Sequence, residues 1–506
     1  MTPTTISSEL PDRSIFSTHL SASPAAVIKP HPDSHGDVVK LSAIDQIAPR
    51  DYISTCLFFR HAADLDKEHI LSALIEALSR TVADIPELAC CVQKRVDNSR
   101  EEVELLFDST RGVEIYYKDY TSPELSNMWL YGSFDQLERQ HFPVNKMPRH
   151  LVFGPPAVLV DHARIPSLIV QISFLPGGLI LGSRLHHVAG DGQCNYMLHT
   201  TIGAHLASIT DGSVGSGIPS IQFPQRHNIV DGDPNVSVEE LPHWKLTDGQ
   251  GDFLSPTTYK AYEKFDHATY FISSEKLDLL KSRILKALAP STKSGKVEAL
   301  CAFIWHHIVL ARNIDPQQYP EAKLAITVNA RSCMKDLAVP SNYWGNFAEP
   351  NAVAKLPVAD LQHCSSLRSS SLPANNIYYE AARQIQKAIT AVDDKAVRRL
   401  VGLLNQMPKS TTLTWNANRY PGPDMLIVCI QGHKYNDINF GSDLGHPVAM
   451  RATVGDTEGK PDGRCLIMPP RRGDGKGLEI SLQYDDKTLE RLEDNVEFSD
   501  YFVRRN

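Results

Sequence analysis

The chain has 506 residues, of which 42% are hydrophobic and 22% are charged, as in a globular protein large enough for two hydrophobic cores. Its formal net charge of −8 at pH 7 excludes a broad basic surface, so neither nucleic acid nor an anionic membrane is expected as its main partner. A local basic pocket for a phosphorylated ligand remains compatible with this charge.

The same sequence predicts a cytoplasmic protein without a membrane span. The N-terminal stretch MTPTTISSELPDRSIF contains no apolar core of the kind that a signal peptide needs. The most apolar stretch, Leu168 to Leu181, is too short to cross a bilayer and is interrupted by Pro176-Gly177-Gly178. The nine cysteines lack CxxC or Cys/His metal spacing, which predicts reduced, buried thiols and no metal site.

The first elements alternate between strands and a helix. Residues 1 to 36, rich in Ser, Thr, Pro and His, are predicted to form a loosely held arm. Strands are predicted at Val38 to Leu41 and at Thr55 to Phe59. Apolar residues at helical spacing predict a helix over Lys67 to Ala83, and Pro86-Glu87-Leu88-Ala89 ends it and leads into a further strand.

A histidine pair follows the most apolar strands of the chain. Ser167 to Leu175 and Leu179 to Leu185 are predicted strands joined by a Pro-Gly-Gly turn, and Gln193 to Leu206 is a predicted helix. Between them stands His186-His187-Val188-Ala189-Gly190-Asp191-Gly192, whose glycines allow a sharp turn. A histidine at such a strand end is well placed to act as a general base, although an isolated pair is more often structural.

The second half is predicted to begin after a long crossover. Residues 213 to 267 are rich in Gly, Pro, Ser and Asp and show no sustained periodicity. A strand at Ala268 to Ile272 and a helix at Glu275 to Leu288 follow, and then a helix at Val297 to Arg312. The loop before that last helix is polar and cationic. It fits either a phosphate cradle or a solvated loop with Ser294 as a helix N-cap.

The remaining elements complete an alternating α/β pattern. They are a strand at Lys323 to Val328, helices at Ile377 to Val392 and Lys395 to Gln406, a strand at Leu478 to Tyr484 and an acidic helical tail at Asp486 to Tyr501. No G-x-S-x-G nucleophile elbow is present, which disfavours an acyl-enzyme hydrolase.

Several motifs together resemble the BAHD-type acyl-CoA-dependent acyltransferases, in particular their fungal, trichothecene acetyltransferase-like branch. They are His-His-x-x-x-Asp-Gly at 186–192, Leu-Ser-x-x-Asp at 41–45, and Asn329-Ala330-Arg331 followed by Tyr-x-Gly-Asn at 343–346. The resemblance implies an α/β fold of two chloramphenicol-acetyltransferase-like domains, each a mixed β-sheet flanked by helices, with the active-site tunnel at their interface. It implies an N-terminal domain at 1–212, a crossover linker at 213–267 and a C-terminal domain at 268–506.

The resemblance also assigns roles to individual residues. It implies His187 as the catalytic base, Asp191 as the partner of Arg331, and Gly192 and His186 as structural support of the site. It places the phosphates of CoA near the loop before the helix at 297, whose candidate binding residues are Ser291, Thr292, Lys293, Ser294 and Lys296.

Two segments depart from the family pattern. Asn439-Phe440-Gly441-Ser442-Asp443-Leu444-Gly445 stands where plant relatives carry Asp-Phe-Gly-Trp-Gly, and it is interpreted as a turn that latches the second domain. Cys429-Ile430-Gln431 stands where relatives often have a Ser/Thr-rich strand, so a hydroxyl contribution to oxyanion binding is not expected from it.

The predicted function is acyl transfer from acyl-CoA, most simply acetyl-CoA, to a hydroxyl of a secondary metabolite such as a terpenoid, alkaloid or polyketide. The enzyme is expected to be a monomer that binds both substrates in a ternary complex and has no tightly bound cofactor. Two alternatives stay open at this point. One is a carrier-protein-dependent or N-acylating enzyme of the same fold, and the other is a non-catalytic binding protein.

Overall fold

The protein is described here as a computed structural model covering residues 23–61, 65–95, 100–144, 147–155, 163–212, 217–246, 265–285, 295–334, 339–363, 376–408, 413–454 and 463–506. Within these ranges the chain forms two compact units. Unit 1 comprises the described residues of 1–227, 342–346 and 434–457, and unit 2 comprises the described residues of 228–341, 347–433 and 458–506.

The strands, in chain order, are β1 (Ala26–Ile28), β2 (Val38–Val39), β3 (Tyr52–Arg60), β4 (Cys91–Lys94), β5 (Val103–Leu106), β6 (Val113–Asp119), β7 (Ile165–Pro166), β8 (Leu168–Leu175), β9 (Gly178–His186), β10 (Trp244–Leu246), β11 (Phe265–Ile272), β12 (Glu321–Asn329), β13 (Ala348–Pro357), β14 (Leu413–Trp415), β15 (Met425–Cys429), β16 (Ala449–Val454), β17 (Arg464–Met468), β18 (Leu478–Asp485) and β19 (Val503–Arg504).

The α-helices are α1 (Ala43–Gln46), α2 (Lys67–Asp84), α3 (Phe134–Arg139), α4 (Gly192–Asp211), α5 (Ser274–Leu285), α6 (Lys296–Arg312), α7 (Val358–Leu361), α8 (Ile377–Thr390), α9 (Asp394–Gln406), α10 (Gly441–Leu444), α11 (Asp486–Asp494) and α12 (Val496–Tyr501).

Unit 1 is built on a six-stranded mixed sheet with the order β1-β6-β8-β9-β3-β16. The β6–β8 pair is parallel and the other pairs are antiparallel. Every residue of β8 and β9 is buried, which explains why apolar residues occupy both faces of these strands instead of alternating with an exposed polar face. A four-stranded sheet, β2-β5-β4-β7, lies in the same unit.

The segment Asn439 to Gly445 packs against helix α4 within unit 1. A Cβ atom at Gly441, whose φ is +80°, would lie 3.0 Å from the Cα of Ala207 and closer still to the Thr210 hydroxyl. The N–H of Ser442 donates to Asp211 Oδ1 at 2.7 Å. The motif therefore packs against α4, the helix that follows the histidine pair. From the sequence, it was predicted to lie in the C-terminal domain and to latch that domain.

Unit 2 is built on a seven-stranded mixed sheet with the order β13-β12-β15-β17-β18-β11-β19. The β12–β15 and β15–β17 pairs are parallel. Helix α6 is buried nearly all round, as its apolar sequence around Phe303 and Trp305 predicts, and it lies at the centre of a large apolar core.

The predicted strands and helices have counterparts in the described residues, but strands such as β5, β6, β13, β16 and β17 were not predicted, and three predicted segments differ in detail. Strand β1 lies inside the predicted N-terminal arm. The predicted helical tail is split at Asn495, whose side chain caps α12 by accepting from the N–H groups of Glu497 and Phe498. The segment 213–267 contains strand β10 and two short 3-10 helices, Arg226–Asn228 and Val238–Glu240.

The two units differ from the predicted domain boundaries because the chain returns twice to unit 1. Residues 342–346 and 434–457 belong to it. The second return supplies β16, which pairs antiparallel with β3 along six residues, Ala449 to Val454. A local sequence pattern cannot predict that β16 joins the sheet of β3, because the two strands are about 400 residues apart in the chain.

In the described part of the chain, no helix combines the length and apolar character that crossing a bilayer requires. Within the same residues, no group of three or more His, Cys, Asp or Glu side chains is arranged to hold a metal ion.

Candidate active site

The histidine pair stands where β9 ends and a tight turn leads into α4. The backbone N–H of His187 donates to the carbonyl of Asp51 at 2.8 Å, and the N–H of Ala189 donates to the carbonyl of His186 at 2.8 Å. A Cβ atom at Gly190 would lie 2.6 Å from the Cβ of Cys194, so only glycine lets the turn pass this close to the helix. The turn therefore holds the side chain of His187 in a partly exposed position.

Asp191 is the N-cap of helix α4. Its Oδ1 atom accepts from the N–H groups of Gln193 and Cys194, both at 3.1 Å, and the side chain is buried. A carboxylate at this position satisfies two free amides and interacts favourably with the helix dipole. Asp191 thus supports the turn locally, and Gly192 is the first residue of the helix.

The imidazole of His187 is oriented by Asn346. His187 Nδ1 lies 3.2 Å from Asn346 Oδ1, and Asn346 Nδ2 donates to the carbonyl of His187 at 2.8 Å and to Asp45 Oδ1 at 2.9 Å. Because both protons of the amide group are directed at these two oxygens, the amide oxygen must face the ring. His187 Nδ1 is therefore the protonated nitrogen, and Nε2 carries the lone pair that a general base needs.

The carboxylate of Asp45 holds Asn346 in place through hydrogen bonds. Its carboxylate is buried and accepts from the N–H and the hydroxyl of Ser42 through Oδ2, at 3.0 and 2.8 Å. Its Oδ1 atom accepts from the backbone N–H of Asn346 at 2.8 Å as well as from the side-chain amide. The arrangement of His187, Asn346 and Asp45 resembles the base–orienter relay of catalytic triads, with an amide inserted between base and acid.

Burial lowers the pKa of His187 below its usual value of 6.5. Hydrogen bonds to its own carbonyl and to Asn346, together with the charges of Asp191 and Asp51, oppose this effect without cancelling it. The imidazole is consequently neutral near pH 7, which is the form that can accept a proton.

His186 is the last residue of β9 and is completely buried. Its ring meets Tyr52 edge-on, with ring centroids 4.9 Å apart, and its Nδ1 atom accepts from the N–H of Val188 at 3.4 Å. Burial lowers its pKa well below 6.5. These contacts agree with the structural role predicted for His186, which stays a prediction.

Arg331 opens a short 3-10 helix, Arg331–Cys333, after strand β12 in unit 2. It is buried, and its Nη1 atom donates to Asn329 Oδ1 at 3.2 Å. The pairing of Arg331 with Asp191 remains a prediction.

The predicted phosphate-binding residues Ser291, Thr292, Lys293 and Ser294 lie outside the described residues. Lys296 is the first residue of α6, and its ammonium pairs with Asp278 on α5, with both side chains about half exposed. The N–H of Gly295 donates to Glu298 Oε2 at 2.7 Å, which completes the N-terminus of that helix. If Lys296 binds a phosphate of CoA, its ammonium must therefore leave the carboxylate of Asp278.

Two residues of this site were not assigned to it from the sequence. Asn346 and Asp45 stand in the Tyr-x-Gly-Asn and Leu-Ser-x-x-Asp motifs, so their positions were marked, but no local pattern indicates that they meet beside His187. A buried carboxylate accepting from a buried amide is a signal that appears only once the chain is folded.

The chain matches a known protein family and resembles curated fungal proteins in sequence. A model described as the Transferase family matches residues 19–499. Acyltransferase easC of Emericella nidulans is 27% identical over 479 residues, which cover 92% of this chain and 95% of that protein. The eremophilane O-acetyltransferase ORF8 of Penicillium roqueforti is 22% identical over 502 residues, covering 92% and 98%.

Among solved structures, F. graminearum TRI101 complexed with coenzyme A and deoxynivalenol superimposes with a TM-score of 0.73 at 18% identity, covering 93% of this chain and 100% of that one. At this identity the likeness concerns the fold alone. It confirms the mixed α/β architecture predicted from the sequence.

Proposed function

The chain belongs to the Transferase family, and from this premise we propose that it is an acyl-CoA-dependent O-acyltransferase acting on a hydroxyl group of a secondary metabolite. The observation that carries the proposal is the contact of His187 Nδ1 with Asn346 Oδ1, because the donors of that amide face two other oxygens and this arrangement favours the tautomer with Nε2 as a proton acceptor. The family membership agrees with the resemblance found in the motifs of the sequence.

The geometry supports a reaction without a covalent enzyme intermediate. His187 Nε2 takes the proton of the acceptor hydroxyl as the hydroxyl oxygen attacks the carbonyl carbon of the thioester. The tetrahedral intermediate collapses with cleavage of the carbon–sulfur bond, and the imidazolium returns its proton to the departing CoA sulfur. The products are an ester and free CoA, and both substrates must be bound at once.

The class of acceptor is inferred from the relatives. The P. roqueforti relative is named as an eremophilane O-acetyltransferase, and TRI101 was crystallised with the toxin deoxynivalenol. We therefore propose a terpenoid-like alcohol as acceptor and acetyl-CoA as donor, in a cytoplasmic, monomeric enzyme.

The test is release of free CoA by the purified protein. Acetyl-CoA is incubated with a panel of sesquiterpenoid alcohols that includes deoxynivalenol, with matched amines and a phosphopantetheine-bound acetyl donor as the alternatives. CoA release that requires an alcohol supports the proposal. Turnover only with amines, only with the carrier-bound donor, or with no member of the panel would contradict it in favour of the corresponding alternative.

The lowered pKa of His187 predicts the acidic limb of the rate profile. The neutral imidazole is the active form, so kcat/KM should be retained as the pH falls through 6.5 and should be lost only below it. The measurement is kcat/KM between pH 4.5 and 8.5 with circular dichroism at each pH, so that acid unfolding is separated from protonation of the base. An acidic limb centred above pH 6.5 in folded protein would contradict the assignment.

For Asp191 and Arg331 we expect energetic coupling in a double-mutant cycle. Asparagine caps helices as well as aspartate does, so Asp191→Asn retains the cap of α4 and removes only the charge. If Arg331 compensates that charge, the free energies of unfolding of Asp191→Asn, Arg331→Ala and the double variant should show a coupling of about 0.5–3 kcal/mol. Additivity within about 0.5 kcal/mol would exclude the pair.

For the phosphates of CoA we expect an effect on binding alone. Replacing Lys293 and Lys296 together by alanine should raise KM for acetyl-CoA by about tenfold, the scale of two partly solvated ion pairs, with kcat and the acceptor KM little changed. The increase should shrink at high ionic strength. Lys395→Ala, an exposed lysine on α9, is the control. Unchanged acetyl-CoA KM in the double variant at low salt would eliminate the phosphate cradle.

A further inference from the structure

Behind the catalytic turn lies an arginine that comes from the segment predicted as a linker. Arg226 is 2% exposed and stands in the 3-10 helix that begins there. Its Nη2 atom donates to the carbonyl of Ala189 at 2.9 Å, and its Nη1 atom lies 3.5 Å from the carbonyl of Val188. These two carbonyls belong to the residues that immediately follow His187, so the guanidinium holds the turn from its buried side.

Two buried carboxylates compensate the charge of Arg226. Nη2 is in close contact with Glu87 Oε2, and Nη1 lies 3.4 Å from Asp45 Oδ1. Burial lowers the pKa of the guanidinium, but the charges of Glu87 and Asp45 outweigh burial and raise it overall. Burial raises the pKa of the Glu87 carboxyl, and the positive charge of Arg226 opposes that rise. Nη2 thus contacts both Glu87 and the carbonyl of Ala189, and Nη1 contacts both Asp45 and the carbonyl of Val188.

The same cluster is connected to His187 through hydrogen bonds of Asp45 and Asn346. Oδ1 of Asp45, the oxygen nearest to Arg226, is the atom that accepts from the backbone and side-chain N–H groups of Asn346. Asn346 in turn faces Nδ1 of His187. One guanidinium thus fixes the reacting ring along two routes, through the backbone that carries it and through the carboxylate that orients its hydrogen-bond partner.

We propose that Arg226 is a positioning residue of the acyl-transfer reaction, holding the turn after His187 and the Asp45–Asn346 relay in one arrangement. This inference rests on the general-base role proposed for His187. A planar fork of donors suits the role because it serves two carboxylates and two carbonyls in fixed directions, whereas a lysine ammonium is a single point of charge. Arg226→Lys therefore keeps the charge and loses the geometry.

A purely structural ion cluster is the competing explanation, and Arg451 provides a matched control for it. Arg451 is also 2% exposed, lies in unit 1, and donates to the backbone carbonyls of His141, Phe142 and Met450. Arg451→Lys should therefore disturb packing and stability as Arg226→Lys does, without touching the catalytic turn. A comparison of the two variants separates positioning from stability.

The experiment measures Tm, kcat, both KM values and the pH dependence of kcat/KM for Arg226→Lys and Arg451→Lys, with acetyl-CoA and the best alcohol of the panel. We expect similar losses of Tm. Only Arg226→Lys should lower kcat by about tenfold or more, the lower part of the range for disturbing a positioned base, with both KM values within about threefold of wild type. Its acidic limb should move to lower pH, because the hydrogen bond that Nδ1 of His187 donates to Asn346 Oδ1 raises the pKa of His187 and is weakened in this variant.

A kcat for Arg226→Lys within threefold of that of Arg451→Lys, or an acidic limb identical to wild type, would overturn the inference. If Arg226→Lys does not fold, Glu87→Ala replaces it, since this change leaves the guanidinium and removes the carboxylate that anchors Nη2. A smaller loss of kcat with the same direction of shift is then expected, and an unmoved limb would again overturn it. His187→Ala is assayed in parallel, and wild-type turnover in that variant would instead refute the base mechanism itself.

Discussion

His187→Ala is expected to lower kcat by about 10²-fold or more while the protein remains folded. His187 is partly exposed and makes no ion pair with any residue that the structure describes, so its removal leaves no buried ion pair broken there. The proposed reaction, by contrast, loses the group that would take the proton of the acceptor. The measurement is CoA release under saturating acetyl-CoA and alcohol, with Tm as the check on folding.

The control for this variant is His69→Ala. His69 lies on α2 in the same unit, with 58% of its side chain exposed, and its Nε2 atom is 3.3 Å from Asp443. This substitution removes an identical side chain from the surface and should leave kcat within about twofold, as is usual for surface positions. Near-normal turnover of His187→Ala would remove His187 from the mechanism, whatever the family membership implies.

Asn346→Leu is expected to have the second largest effect, a loss of kcat of about 10²-fold with smaller changes in either KM. Leucine has a similar volume but cannot accept from Nδ1 of His187, so the ring can adopt the tautomer in which Nε2 is protonated and useless as a base. Asp45 also loses one of its donors, and a decrease in stability of about 1–3 kcal/mol should accompany the loss of activity.

Asn195→Leu is the matched control for Asn346→Leu. Asn195 is equally buried in unit 1, and its amide donates to Thr55 and Tyr435, both at 2.9 Å. The two variants should lose comparable stability, and the kcat loss should be confined mainly to Asn346→Leu. Equal kcat values for the two variants at equal folded fraction would show that the contact with His187 does not contribute to turnover.

The long helices were accessible from local patterns. The helix predicted at Lys67 to Ala83 is α2 (Lys67–Asp84), and the helix predicted at Val297 to Arg312 is α6 (Lys296–Arg312). Both follow from apolar residues at a spacing of three to four, which is a property of one helix and needs no other part of the chain. Strand β19 was missed because its two residues show no alternation, and only its pairing with β11 makes it a strand.

The candidate site was accessible only in part. The strand, turn and helix around His187 are consecutive in sequence, so their order alone placed a histidine at a strand end beside two glycines. The choice of His187 over His186 as the base came from the family pattern. The structure supplies a physical reason for it, because His186 is fully buried while His187 is partly exposed.

The sequence by itself determined the alternating α/β pattern, the strand, turn and helix that carry His187, and the family to which its motifs point, because each of these depends on residues that are neighbours along the chain. Only the tertiary structure decided which groups surround His187. Asn346, Asp45 and Arg226 are separated by up to 301 positions and meet in a buried cluster. Buried polar groups must find partners wherever folding brings them together, and that requirement leaves no periodic trace in the sequence.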